Sequence, residues 1–228
     1  MGLQKATIQS KKNLTEDIFE LILKPQEPLA YEAGQFITIK INDGQKTPCF
    51  RAYSIASAPN TPLTLCIKLM QDGRGSNWLH QLKPAQEIEF LGPNGKLTFQ
   101  NQSSPSYFIA TGTGIAPLKS MIEDQLKKGN KSSIQLIFGV RYISGVFYEN
   151  QLKSLTASHP NFSYKIAISQ PESPNNPHLT GRVTDHLKNL DPKAQYYLCG
   201  LSPMINSVSE ILTKQGVPTD AIHFEKYD

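Results

Sequence analysis

Residues 107–127, YFIATGTGIAPLKSMIEDQLK, join an apolar strand-like run to an amphipathic helix through the turn Thr111-Gly112-Thr113-Gly114. Small residues at a strand-to-helix turn let a ligand approach the backbone. The N–H groups opening the helix present positive potential to a pyrophosphate. The spacing is not G-x-G-x-x-G, and a glycine turn that merely seats helix on sheet would read the same way. Strand-like and helical runs alternate after it: IQLIFGV, YENQLKSLTAS, FSYKIAIS, TDHLKNL, YYLCG, PMINSVSEILTKQG and IHF. That alternation predicts an α/β domain with a parallel sheet over residues 103–228.

Upstream the pattern differs. DIFELILK (17–24), QFITIKI (35–41), RAYSI (51–55), LTLCIKLM (63–70) and EIEFLG (87–92) are short β-type runs separated by Gly, Pro and Asn, with one short helix, SNWLHQL, at 76–82. Such spacing predicts an antiparallel β-barrel or sandwich over residues 1–102. The polar stretch QNQSSPS (100–106) reads as the linker between the two domains.

Bulk properties exclude several classes. The 228 residues are 39% hydrophobic and 18% charged, ordinary for a globular chain of one or two domains. No apolar run approaches the ~20 residues of a membrane helix, and the N-terminus lacks a signal-peptide core. The expectation is a soluble, cytoplasmic protein with no membrane partner. Met1-Gly2 does not open a myristoylation motif, because Ala6 stands where Ser or Thr is required. Cys49, Cys66 and Cys199 are too few and too dispersed for a disulfide framework, a zinc site or a four-thiolate cluster, so no metal is expected. The net charge of +4 comes from scattered Lys and Arg rather than a concentrated patch, which argues against nucleic acid. The five histidines, at 80, 159, 178, 186 and 223, are scattered and read as surface or core residues.

Two further segments carry chemistry. In RAYSIAS (51–57), strand alternation puts Arg51 and Tyr53 on one face, a guanidinium for a phosphate beside a ring for a planar group. An edge-strand Arg beside a packed Tyr gives the same pattern. In DGRGSNWLH (72–80), glycines open into a helix whose first turn holds Ser76, so N–H groups and a hydroxyl point to a second anion site, or simply to a capping turn.

In order along the chain stand RAYS, GRGS, GPNGKLTF (92–99), GTGIAP (112–117), FGVR (138–141), GRVTDHL (181–187) and CGLSPMI (199–205). Together they resemble the ferredoxin–NADP reductase superfamily across essentially the whole chain. The resemblance implies a barrel that holds FAD, an α/β domain that holds NADH or NADPH, and a cleft where nicotinamide meets isoalloxazine. It assigns Arg51 to the flavin pyrophosphate, Tyr53 to the isoalloxazine and ribityl region, Ser54 to flavin N5, and Gly75 and Ser76 to the phosphates. Ala52, Ile67 and Lys68 fall at further flavin positions. Thr111, Gly112, Thr113, Gly114, Pro117, Arg141 and Met204 fall at nucleotide positions, and Cys199 with Gly200 lies beside the nicotinamide. The ending HFEKYD resembles the family terminus, which makes Glu225 a proton relay or orienting group and Tyr227 the cover of the flavin face. The chain carries one further residue, Asp228, which leaves Phe224 as the alternative cover.

The implied activity is hydride transfer from NAD(P)H to FAD and electron transfer onward to a separate ferredoxin, flavodoxin or oxygenase component. A free-flavin reductase and a non-catalytic redox-sensing or scaffolding module are the alternatives. Related NADPH users often open the loop after the third strand of this domain with Ser-Arg. Here Ser169-Gln170 leans toward NADH, although Arg141 and Arg182 are cations of the kind a 2′-phosphate needs.

Overall fold

The computed structural model describes residues 2–173 and 175–227. In the first half, strands β1 (Gln4–Asn13), β2 (Ile18–Pro25), β3 (Phe36–Ile41), β4 (Cys49–Ser54), β5 (Leu63–Lys68) and β6 (Glu87–Asn94) form one antiparallel sheet in the order β4-β3-β6-β1-β2-β5. The chain leaving β4 bridges Ile55 to Leu65 on β5, which brings the two outer strands together and closes the barrel. Alternation fills the inside: Ile37, Ile39 and Ile41 of β3 are buried and meet Leu21 and Leu23 of β2 and Phe90 of β6. Helix α1 (Arg74–Gln81) plugs this core with Leu79. Lys11 of β1 donates to the carbonyls of His80 and Leu82, the free groups at the helix's C-terminal end.

Strand β1 does not stand out in the sequence. Its ten residues, QKATIQSKKN, bury only Ala6 and Ile8, and β6 and β2 on either side supply the pairing that its own apolarity does not.

In the second half, β7 (Ser106–Thr111), β8 (Ile134–Val140), β9 (Phe162–Ile168), β10 (Leu179–Thr180), β11 (Gln195–Leu201) and β12 (Ile222–Tyr227) form a parallel sheet in the order β10-β9-β8-β7-β11-β12. Helices α2 (Ile115–Lys127), α3 (Glu149–Ser158) and α4 (Ser202–Lys214) cover it. The chain runs outward from β7 to β10, then returns to the other side of β7 as β11. The carboxyl ends of β7 and β11 are therefore a topological switch point.

The helix expected from TDHLKNL is one short 3₁₀ turn, Val183–His186. Asn189 at φ 55 and the Asp191-Pro192 step stop it, because proline disfavours helical backbone at the residue before it. The polar stretch after residue 99 is tied down: the Gln100 N–H donates to Tyr197 Oη at 2.9 Å, while Phe99, Phe108 and Tyr197 stack with centroids 4.9–6.3 Å apart.

Helix α2 is buried nearly all round, because the sheet lies on one side and the barrel on the other. Leu118, Met121 and Ile122 share one core with Ile18, Ala33 and Leu97 of the barrel. At this joint Gly34 sits at φ +103, and a Cβ there would lie 2.0 Å from Leu97 O and 3.3 Å from Met121 Sδ. Gly34→Ala should cost at least about 2 kcal/mol from strain and overlap. Thermal denaturation should show a Tm lower by roughly 4–8 °C; a Tm within about 1 °C of wild type would mean that the backbone yields freely.

Candidate active site

Two cradles and a junction make up the site. The first cradle lies where β4 meets the start of α1. A Cβ on Gly75 would stand 2.7 Å from Tyr53 Oη and 2.9 Å from Arg51 Cγ, so only glycine lets the first helical turn rest on both side chains. Arg51 and Tyr53 thus share a face beside a helix N-terminus whose leading N–H groups have no partner within the helix. The Arg51 guanidinium is exposed and donates to Phe50 O at 2.9 Å. Burial pushes the Tyr53 phenol up to about 12, so it remains a neutral hydroxyl.

The Ser76 hydroxyl does not reach outward as the sequence reading expected. It accepts from Met70 N at 3.1 Å and donates to Gly73 O at 3.1 Å, which closes its own turn and leaves only the backbone N–H for an anion. Arg74 was not singled out from the sequence. It grips Asp43 with a bidentate fork and Thr47 O at 2.9 Å, pinning residues 43–47 to the start of α1. That contact holds the Asp43 carboxyl down at about 2.

The second cradle is the switch point. Gly112–Gly114 form a 3₁₀ turn that runs directly into α2. A Cβ on Gly114 would fall 2.3 Å from Cys199 O and 2.8 Å from Gly200 N. Across the gap, Gly200 at φ +150 has Thr111 Oγ1 2.4 Å and Met204 Cε 2.8 Å from its missing Cβ. Thr111, Gly114, Cys199, Gly200 and Met204 are thereby brought together, between the N-termini of α2 and α4. Pro117 stands in the first turn of α2, where no backbone donor is needed.

The junction joins the halves. β12 runs parallel to β11 with Cys199 opposite Glu225 and Leu201 opposite Tyr227. Tyr227 Oη donates to Ser54 Oγ at 2.6 Å, and Ser54 Oγ donates to Glu225 Oε1 at 3.2 Å. Ser54 thus ends β4 and contacts the last strand of the other domain. Burial raises the Glu225 carboxyl above its usual range, partly offset by the Ser54 hydrogen bond. Burial, with Glu225 adding to it, also pushes the Cys199 thiol up, so it packs as a thiol and not as a nucleophile. Phe224 is not an alternative cover: it is exposed, and strand parity sets it on the face opposite Glu225 and Tyr227. Asp228 lies outside the described residues, as does Met1.

Other expected positions are less central. Ile67 is buried in the barrel, so only its backbone can meet a ligand, and Lys68 pairs with Asp17 at 3.3 Å. Ala52 is exposed on β4, and Thr113 is half-buried in the turn. Arg141 directly follows β8 and donates from Nε to Gln170 Oε1 at 2.9 Å, so Arg141 and the Gln170 loop form one rim at the carboxyl edge of the sheet. Among the described residues no group of three or more His, Cys, Asp and Glu is placed to hold a metal. No helix among them is long and apolar enough to cross a membrane.

Glu225 gives a pH prediction. Its folded carboxyl keeps its proton to higher pH than a free one, so the stability tied to this group is present at acid pH and is lost as pH rises through the folded value. Glu225→Gln, which stays neutral, should gain Tm relative to wild type as the pH rises above the ordinary carboxylate range, about pH 4. A difference that does not change with pH would show that the carboxyl is solvated.

The cradles match known domains. An oxidoreductase FAD-binding domain model matches residues 5–99, and an oxidoreductase NAD-binding domain model matches residues 108–210. The chain is 34% identical over 215 residues to ferredoxin–NADP reductase B of Sorangium cellulosum, covering 87% of this chain and 86% of that protein. It is 28% identical to the toluate 1,2-dioxygenase electron transfer component of Pseudomonas putida, covering 98% of this chain and 67% of that one. A ferredoxin–NADP+ reductase crystal structure from Neisseria gonorrhoeae, with bound FAD and NADP, shares the fold at TM-score 0.88 and 22% identity, covering 99% of each chain. With a barrel carrying the FAD-binding signature and a parallel sheet carrying the NAD-binding one, this chain belongs to the ferredoxin–NADP reductase family.

Proposed function

We propose that the protein takes a hydride from NADH or NADPH onto FAD and delivers the electrons singly to a separate ferredoxin, flavodoxin or oxygenase component. The observation that carries this reading is the meeting of the two cradles at Ser54. A flavin laid along β4 and a nicotinamide laid over residues 112–117 converge on one hydroxyl, held by Tyr227 and Glu225.

FAD, when bound, supplies the conversion between a two-electron hydride and single electrons. Everything else is positioning. Arg51, with the N–H groups of Gly75 and Ser76, holds the flavin pyrophosphate, and Tyr53 flanks the ring system. Ser54 would place its hydroxyl at flavin N5, with Glu225, already hydrogen-bonded to it, positioned to hold or return a proton. Tyr227 covers the flavin face and must give up its 2.6 Å bond to Ser54 when nicotinamide enters. Gly112, Gly114, Cys199 and Gly200 would leave room at the backbone for the nucleotide and so orient its nicotinamide toward the flavin.

We assign the adenosine end to the rim of Arg141 and Gln170, with Arg182 on the segment that follows β10. The Arg141–Gln170 contact supplies a cation where the loop after β9 has none of its own, which leaves NADPH as open a donor as NADH. Residues 1–102 are the flavin unit and residues 103–228 the nucleotide unit, working in the cytoplasm.

The deciding experiment is an anaerobic titration of the purified protein, following the flavin band while NADH is added to one sample and NADPH to another. Bleaching by one nucleotide at far lower concentration is expected and names the donor. No flavin band after FAD is supplied would sink the reading, and FAD lost on gel filtration would favour the free-flavin reductase. Separately, Arg51→Ala should yield largely flavin-free protein that keeps its fold; normal FAD occupancy would remove Arg51 from the pyrophosphate site.

A further inference from the structure

Helix α2 does two things at once. Its first turn forms the nucleotide cradle, and one turn later Lys119 and Ser120 reach into the other domain. Ser120 Oγ donates to Ser57 O at 2.5 Å, and Lys119 Nζ donates to Ala56 O at 3.2 Å. Ala56 and Ser57 lie two and three residues beyond Ser54. The covalent paths are equally short on both sides: Pro117 to Lys119 on the helix, Ser54 to Ala56 on the strand.

Lys119 is only 6% exposed, a rare place for an ammonium. It also pairs with Glu123 at 2.8 Å and lies 5.0 Å from the centroid of the Tyr148 ring. Tyr148 is itself unusual. It is buried, it caps α3 at φ 63, a left-handed conformation that bulky residues rarely adopt, and its Oη donates to Glu20 Oε1 of β2 at 2.7 Å. Burial holds that hydroxyl protonated, so it serves as a donor. One ammonium is thus fixed by a carbonyl of the barrel, by a carboxylate of its own helix, and by a ring that the barrel anchors through Glu20.

Apolar packing would join the domains at lower cost, since a buried ion pair is commonly no more stabilising than hydrophobic residues of the same volume. Apolar contacts are non-directional and allow sliding, whereas these hydrogen bonds fix the separation and the tilt. We propose that Lys119 and Tyr148 are positioning residues that set the spacing between the nucleotide cradle and the flavin strand, and so the approach of the nicotinamide to the flavin. This rests on the function proposed above. Neither residue belongs to the two cradles; they act through Ala56 and through the seat of α2. Sub-ångström placement matters here, because a shift of about 1 Å can lower a rate by about 100-fold.

The test uses Lys119→Met, which keeps an apolar stem of similar length, and Tyr148→Phe, which keeps the ring and its backbone demand and removes only the hydroxyl. Four quantities are measured on the FAD-loaded protein: FAD content, nucleotide Kd, the rate of flavin reduction at saturating nucleotide, and the deuterium isotope effect with nicotinamide labelled at C4. The lock predicts FAD content and Kd within about 2-fold of wild type, a reduction rate lower by about 10-fold or more in Lys119→Met and by less in Tyr148→Phe, and an isotope effect that grows. In the double variant the two losses should combine to less than their product, because both act through one contact. An unchanged reduction rate in both single variants would overturn the proposal. So would loss of FAD from the folded Tyr148→Phe protein, which would make the contact a structural support only. If Lys119→Met does not fold, Tyr148→Phe decides alone. Wild-type flavin that neither nucleotide reduces would instead overturn the proposed function itself.

Discussion

The contact on which the molecule depends is that of Gly114 with the backbone of Cys199. A side chain at 114 would place its Cβ 2.3 Å from the Cys199 carbonyl oxygen. Only with glycine there does the turn after β7 lie flat against the end of β11. That contact seats the 3₁₀ turn Gly112–Gly114 and the start of α2 at the switch point, where the amino end of the continuous helical run lies. It also sets the start of a helix whose other residues join the barrel to the sheet. Site and domain joint are consequences of one close approach.

The cradle proposed for the flavin repeats the same physics on an unrelated scaffold. Gly75 brings the N-terminus of α1 down onto Arg51 and Tyr53, as Gly114 brings α2 down onto Cys199. Both cradles rely on a missing Cβ, on unpaired N–H groups and on the helix dipole. They differ in support. The first is held from outside by the Arg74–Asp43 ion pair, which sits near the surface where screening weakens it. The second is held from inside by a core shared between domains. A cofactor that stays bound tolerates the looser cradle, because its own contacts add to the fold. A substrate that must leave after each turnover needs a site that keeps its shape alone.

The sequence makes the cradles visible because each is local: a glycine turn, an Arg two residues from a Tyr, a helix start. Strand runs with apolar alternation were equally legible, whereas β1, with two buried apolar residues and three lysines, was not. Its pairing comes from β2 and β6, which no local window contains. The same reason hides Arg74 with Asp43, 31 residues apart, and Tyr148 with Glu20, 128 apart. Lys119 left no trace, being one of several polar residues of an amphipathic helix, and nothing local says which carbonyl receives it. Phe224 is a different case. Counting parity along residues 222–227 sets it opposite Glu225 and Tyr227, and the sequence already contained that answer.

Stiffness is graded across the site in the order the chemistry requires. On the proposed reading Tyr227 would have to move for nicotinamide to reach the flavin, and what holds its hydroxyl is a hydrogen bond to Ser54, of a kind worth about 1 kcal/mol net. The incoming ring can replace that with stacking of comparable size. The joint must not move, and there the fold uses Lys119 to Ala56, Ser120 to Ser57 and Tyr148 to Glu20 together, all buried or partly buried and so little screened. Ser54 stands between the two regimes, rigid through its strand and adjustable through its hydroxyl. A single oxygen can therefore release the cover, answer to Glu225 and keep its place relative to both cradles.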